Sequence, residues 1–153
     1  KEAFPVCDFG YIDTANKTEV RGEGGKTGIF YLALGDAGLY KLCYDTKTEE
    51  IHVKRLTDTG DACYRMGLGV IGEDRDYLTE EKAIYFCGRL EGEYGFYRTF
   101  DEGKSYERLN QDNQMYGEIN SIDGDKRKFG RFFLATGSRG VLYGEMKRQS
   151  RKI

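Results

Sequence analysis

The chain has one histidine, one proline and no tryptophan among 153 residues, and each scarcity excludes something. A Ser-His-Asp triad, a Cys-His nucleophile or a multi-histidine metal site would have to pass through His52. That residue sits in Glu49-Glu50-Ile51-His52-Val53-Lys54, which alternates as a half-exposed strand does, so His52 is expected on a strand surface. No apolar run approaches the roughly 18 residues of a membrane-spanning helix. The opening Lys1-Glu2-Ala3-Phe4-Pro5 has no signal-peptide core. A net charge of -2 with 33% charged residues excludes a polybasic arm. The short basic clusters at 126–131 and 147–152 read as solvated surface, so no nucleic-acid partner and no membrane partner are expected.

Cysteine is sparse and widely spaced. Cys7, Cys43, Cys63 and Cys87 form no C-x-x-C pair, which disfavours a zinc ribbon or a dithiol redox site. Two disulfides would allow three connectivities, and spacing chooses none of them. Cys43 and Cys87 lie in apolar runs that suit buried thiols. No metal site and no cofactor are expected. Asn16-Lys17-Thr18 is a glycosylation sequon.

What the chain does have is 21 Gly, 12 Tyr and 9 Phe, a composition suited to short strands joined by tight turns. The fold class is therefore all-β. Apolar or alternating runs bounded by Gly and Asp occur at 29–34, 38–43, 51–56, 83–87, 95–99, 105–109, 131–136 and 141–143. The polar stretch Glu73 to Lys82 is expected to be a loop. Strands also recur as a unit. An apolar strand, a Gly-aromatic or Gly-aliphatic start and a polar turn appear from Ile29, again from Ile84, and again from Phe132, with Gly38, Gly95 and Gly140 as landmarks. A period near 40 to 50 residues built from four strands marks β-propeller blades. The units are placed at about 19–60, 61–112 and 113–146, with a basic tail at 147–153, in one partial propeller domain.

Thr99-Phe100-Asp101-Glu102-Gly103-Lys104-Ser105-Tyr106 fits the S/T-x-D-x-G-x-S/T-aromatic Asp box of sialidase-like propellers. Asp101 can accept hydrogen bonds from the turn backbone, Gly103 can supply a positive φ, and Tyr106 can tuck beneath the hairpin. Thr99, Asp101, Gly103, Ser105 and Tyr106 are thus structural candidates. Tyr44 to Thr48 occupies the same place in the first unit without the glycine or the aromatic.

The last third carries a sharper likeness. Gly95 to Asn110, Gln114-Met115-Tyr116-Gly117-Glu118-Ile119, and Gly124 to Gly144 resemble in order three runs of glycoside hydrolase family 74. These are "G-hydrophobic-YRS-x-D-x-G-x-T-W-x-R-hydrophobic-N", "H-Q-Y-G-N-I" and "G-D-P-R-x-Y-G-R-V-Y-hydrophobic-G-T-N-G-R-G-I-hydrophobic-Y-G". Val20-Arg21-Gly22 with Gly28 to Ala33 is similar to a preceding blade. The resemblance spans residues 19 to 145 and implies the C-terminal part of an inverting xyloglucan-active endo-β-1,4-glucanase with paired seven-bladed propellers. The family's aspartate contexts, "T-D-I-G-G" and a "G-D-I-G-G-F"-like run, do not occur in this chain, so no catalytic residue is assigned. Asp36, Asp45, Asp101 and Asp125 read as turn residues. By the resemblance, Gln114, Tyr116 and Arg139 are the candidates for contact with polysaccharide, xyloglucan or a related β-glucan. Tyr64 and Tyr94 could stand in for the absent tryptophan as stacking faces.

Three partial blades cannot close a ring. The chain is expected to be a fragment, one piece of a split protein, or a subunit completed by the remainder of the propeller or another chain. A secreted location follows from the same likeness. The competing reading is a non-catalytic propeller module that binds a polysaccharide or a protein partner. A propeller of the sortilin-like kind is disfavoured by the run from Gly124 to Gly144.

Overall fold

A computed structural model describes residues 27–45, 47–77 and 81–146, with residues 27 and 28 by backbone alone. Cys7, the sequon at Asn16, Val20 to Gly22 and the basic tail lie outside the described residues. Ten strands run in order: β1 (Thr27–Ala33), β2 (Leu39–Asp45), β3 (Glu50–Arg55), β4 (Ala62–Gly69), β5 (Ala83–Leu90), β6 (Glu93–Thr99), β7 (Glu107–Arg108), β8 (Ile119–Gly124), β9 (Phe132–Thr136) and β10 (Val141–Gly144). The described residues contain no helix, and the described part of the stretch 73–82 is irregular.

The strands form three antiparallel meanders, β1-β2-β3, β4-β5-β6-β7 and β10-β9-β8. The fold is all-β, built of blades. Only the middle sheet shows the expected four strands among the described residues. Its repeat partners explain the difference, because β1-β2-β3 corresponds to β5-β6-β7 and β9-β10 to β5-β6. The first sheet thus lacks a described counterpart of β4, and the third lacks one of β7.

Tight turns fix the registers. Glu91 and Gly92 between β5 and β6 both have positive φ, 52° and 82°, the two-residue turn whose twist matches the flanking strands. At the end of β3, the Leu56 amide bonds the Leu39 carbonyl at 2.8 Å, and the Leu39 amide bonds Thr57 Oγ1 at 3.0 Å. The middle sheet repeats this device, with Leu109 N on Phe96 O at 2.7 Å and Phe96 N on Asn110 Oδ1 at 2.8 Å. A polar side chain thus takes over the ladder where the outer strand stops, leaving no buried amide unpaired.

The middle sheet is buried on both faces, which is why β5 reads as a continuous apolar run. Ile84 and Phe86 join Tyr31, Ala33, Leu39, Met66 and Leu68 in one core. Ala83, Tyr85 and Cys87 join Phe96, Ile119, Ile122 and Leu134 in the other. Tyr85 stacks on Phe132 of the third sheet at 5.7 Å. The first and second sheets are further tied by the reciprocal amide bonds of Gly35 and Cys63, at 2.8 and 2.9 Å. Cys43, Cys63 and Cys87 are free thiols.

Candidate functional site: an aromatic and arginine-bearing loop edge

The β1-β2 turn, the start of β4, the β5-β6 hairpin, the segment before β8 and the β9-β10 turn share one edge of the sheets. The Gly35–Cys63 bridge joins the first two. The Glu91 amide on Asp61 Oδ1 at 2.8 Å holds the β5-β6 hairpin. The Gly137 amide on Glu118 O at 3.0 Å holds the β9-β10 turn.

On this edge a register shift between Cys63 and Arg65 makes Tyr64 the extra residue of a β-bulge, and bulges re-aim side chains. Tyr64 donates its phenol to Asp36 Oδ1 at 2.9 Å, and its ring lies 6.5 Å from that of Tyr94. Arg89 approaches the same Asp36 carboxylate at 3.7 Å. Arg65 donates to the carbonyls of Asn120 and Tyr64 at 3.2 and 2.9 Å. Burial and the hydrogen bond to Asp36 raise the Tyr64 phenol above its ordinary value, so it remains a neutral donor at physiological pH. The Asp36 carboxylate thus accepts from a phenol and faces a guanidinium. The edge thus presents two half-buried tyrosine rings beside two arginines.

Of the residues marked in the sequence, Tyr116 stacks parallel to Phe96, with a centroid separation of 6.3 Å, and packs against the second core. It holds a positive φ of 51° beside Gly117 at 72°. The Gln114 carboxamide accepts from the Gln111 amide at 3.0 Å, closing its own loop. Arg139 is exposed, with its amide on Thr136 Oγ1 at 2.9 Å. All three lie on the loop edge, Tyr116 turned inward and Arg139 outward. Asp36 reads in the sequence only as a turn residue, and Arg65 and Arg89, inside β4 and β5, carry no sequence signal of their place on this edge.

The turn from Thr99 to Tyr106 lies away from this edge. Asp101 accepts from the Ser105 amide at 2.9 Å, the Ser105 hydroxyl at 2.6 Å and the Thr99 hydroxyl at 2.8 Å. These bonds, Ser105 foremost, draw the Asp101 carboxyl down to about 2. Gly103 has φ 84°, and the Tyr106 ring meets Phe86 edge-on at 5.6 Å. Two grooves flank the turn. One, of about 480 Å³, carries Lys41, Lys104 and Glu102, and the other, of about 470 Å³, carries Asp58, Asp61 and Glu93. In the first Lys41 pairs with Glu102, and in the second Arg108 pairs with Glu93. His52 is exposed on β3, 3.6 Å from Glu50. Among the described residues no group of three or more His, Cys, Asp or Glu is placed to hold a metal ion.

Three stacked antiparallel meanders define a run of β-propeller blades. No protein-family model matches the chain. It is 32% identical over 128 residues to xyloglucanase Xgh74A of Acetivibrio thermocellus, covering 83% of this chain and 14% of that protein. The oligoxyloglucan-reducing end-specific xyloglucanase of Emericella nidulans is 31% identical over 127 residues, covering 80% of this chain and 15% of its own length. The crystal structure of the GH74 xyloglucanase from Xanthomonas campestris superposes with a TM-score of 0.62 at 25% identity, over 88% of this chain and 17% of that one. The chain is related to the glycoside hydrolase family 74 xyloglucanases and corresponds to a small part of their length.

Proposed function

We propose that the chain is a C-terminal propeller portion of a secreted glycoside hydrolase acting on xyloglucan or a related β-1,4-glucan. Hydrolysis with inversion would use aspartates outside residues 1–153, since the family's two aspartate contexts are absent from this sequence. In this reading the chain contributes a wall of the substrate cleft through Tyr64, Tyr94, Gln114, Tyr116 and Arg139. The turn at Thr99 to Tyr106 serves as a structural Asp box. The observation that carries the proposal is the identity of 32% to a xyloglucanase over 83% of the chain. The Tyr64–Tyr94 pair beside Arg65 and Arg89 supports it. A non-catalytic module remains the second reading, favoured by the engagement of Asp36 with Tyr64 and Arg89.

Affinity electrophoresis of the chain in gels containing xyloglucan tests binding. Loss of about 1 kcal/mol of stacking in Tyr64→Ala or Tyr94→Ala, roughly fivefold in affinity, is expected. Complementing the chain with the remaining two-propeller portion of a family 74 enzyme tests activity. Release of reducing sugar from xyloglucan supports the hydrolase; retardation in the gel without release favours the binding module.

A further inference from the structure

Tyr64 and Tyr94 both belong to the second sheet, yet the carboxylate that engages this pair comes from the first. Asp36 sits in the β1-β2 turn. Its Oδ1 accepts the Tyr64 phenol at 2.9 Å and lies 3.7 Å from the Arg89 guanidinium. Arg89 stands directly opposite Tyr94 in the β5-β6 ladder, and directly opposed side chains share a face of the sheet. One carboxylate therefore reaches the first ring through its hydroxyl and the second through its cross-strand neighbour. The two rings lie 6.5 Å apart and are tilted by 35° to each other.

As the extra residue of the bulge, Tyr64 has no partner in the β4-β5 ladder, so the ladder does not set the direction of its side chain. A half-buried tyrosine has rotamer freedom to lose when a ligand arrives, and fixing the ring beforehand removes that cost. The carboxylate is itself fixed. Gly35 and Cys63 exchange amide bonds at 2.8 and 2.9 Å, and they immediately precede Asp36 and Tyr64. The Ala37 amide on Leu34 O at 3.1 Å and the Gly38 amide on Gly35 O at 3.0 Å close the turn around Asp36. Backbone and side-chain bonds thus join the same two segments one residue apart, which sets both the distance and the direction of the attachment.

We propose, on the reading that this edge meets the polysaccharide, that Asp36 is a positioning residue, locking the Tyr64 ring beside Tyr94 so that a sugar ring meets a face already in place. The Tyr64 hydroxyl is engaged by Asp36, and the ring alone is offered to the glycan. The Asp36 side chain is 81% exposed, so its bonds add little to global stability. Its removal leaves the fold intact and loosens the ring.

Affinity electrophoresis across a series of xyloglucan concentrations tests it, with Tyr64→Ala, Tyr64→Phe, Asp36→Ala, Asp36→Asn and the Tyr64→Phe/Asp36→Ala double variant, each verified as folded by circular dichroism. Tyr64→Phe and Asp36→Ala are each expected to weaken binding by roughly threefold. The double variant should be no weaker than either alone, because both changes remove the same bond. Asp36→Asn keeps an oxygen that accepts from the phenol and is expected to bind as wild type does. If Asp36→Ala weakens binding as much in the Tyr64→Phe background as in wild type, Asp36 touches the sugar itself and the proposal is overturned. Wild-type affinity in Asp36→Ala alongside a loss in Tyr64→Ala also overturns it, while leaving the glycan-binding reading of the edge intact. Wild-type affinity in Tyr64→Ala removes that reading, and the positioning role with it.

Discussion

The Tyr106 hydroxyl donates to the Leu56 carbonyl oxygen at 2.6 Å, linking a turn of the second sheet to the residue that follows β3 of the first. Leu56 is buried, at 6% exposure, so this carbonyl has little access to replacement water. Tyr106→Phe keeps the ring against Phe86 and leaves the acceptor stranded, at a cost of about 1–3 kcal/mol. Urea unfolding followed by far-ultraviolet circular dichroism should show a lowered midpoint with an unchanged slope.

Asp101 gives a prediction about acid. Its carboxyl is drawn from 3.8 to about 2 in the folded protein, by Ser105 first. A depressed folded value means that the ionised group stabilises the fold above about pH 4 and that this contribution is lost as pH falls toward 2. Asp101→Asn should therefore be less stable than wild type at neutral pH. The gap should close between pH 4 and pH 2, as read from thermal melts across that range.

Where β4 and β8 meet, a Cβ built on Gly67 would lie 2.4 Å from both Asp123 Cα and the Ile122 carbonyl oxygen. Both obstacles are backbone and cannot swing aside. Gly67→Ala should cost at least the 1–3 kcal/mol typical of overpacking. The loss should appear as a lowered melting temperature, while Gly92→Ala, with open space around its Cβ, should cost less despite its positive φ.

The thiols should divide by burial. Burial raises Cys63 well above its ordinary range and pushes Cys87 up to about 12, whereas Cys43 is only partly buried. Brief iodoacetamide treatment at pH 8 followed by peptide mass spectrometry should label Cys43 and spare Cys63 and Cys87. Labelling of all three in denaturant checks that protection comes from the fold.

Much of the fold was legible because β1, β2, β5, β6, β9 and β10 are apolar or alternating runs that begin or end at glycines. β4 and β8 were not. Gly67, Gly69 and Gly124 interrupt their pattern, and the reason lies in packing between sheets. A Cβ on Gly124 would sit 2.6 Å from Gly69 Cα, so these strands approach backbone to backbone, with no room for the side chains that would have announced them. The candidate site was half legible. Tyr116 and Arg139 stand in a recognisable run, but the pairing of Tyr64 with Asp36 depends on a bulge that no spacing in the sequence reports. The shortness of β7 was equally hidden, because Asn110 replaces a strand residue with a side-chain acceptor.

Each ladder in the three meanders joins strands that follow one another along the chain. Among the described residues, no strand waits for a partner made much later. During synthesis from the N-terminus, the first sheet can zip once Arg55 has emerged, the second once Arg108 has, and the third after Gly144. Loop closures stay short at each stage. The costly, long-range step is then the stacking of finished sheets, so newly made chains should leave the ribosome with strands paired and with their apolar faces still seeking neighbours.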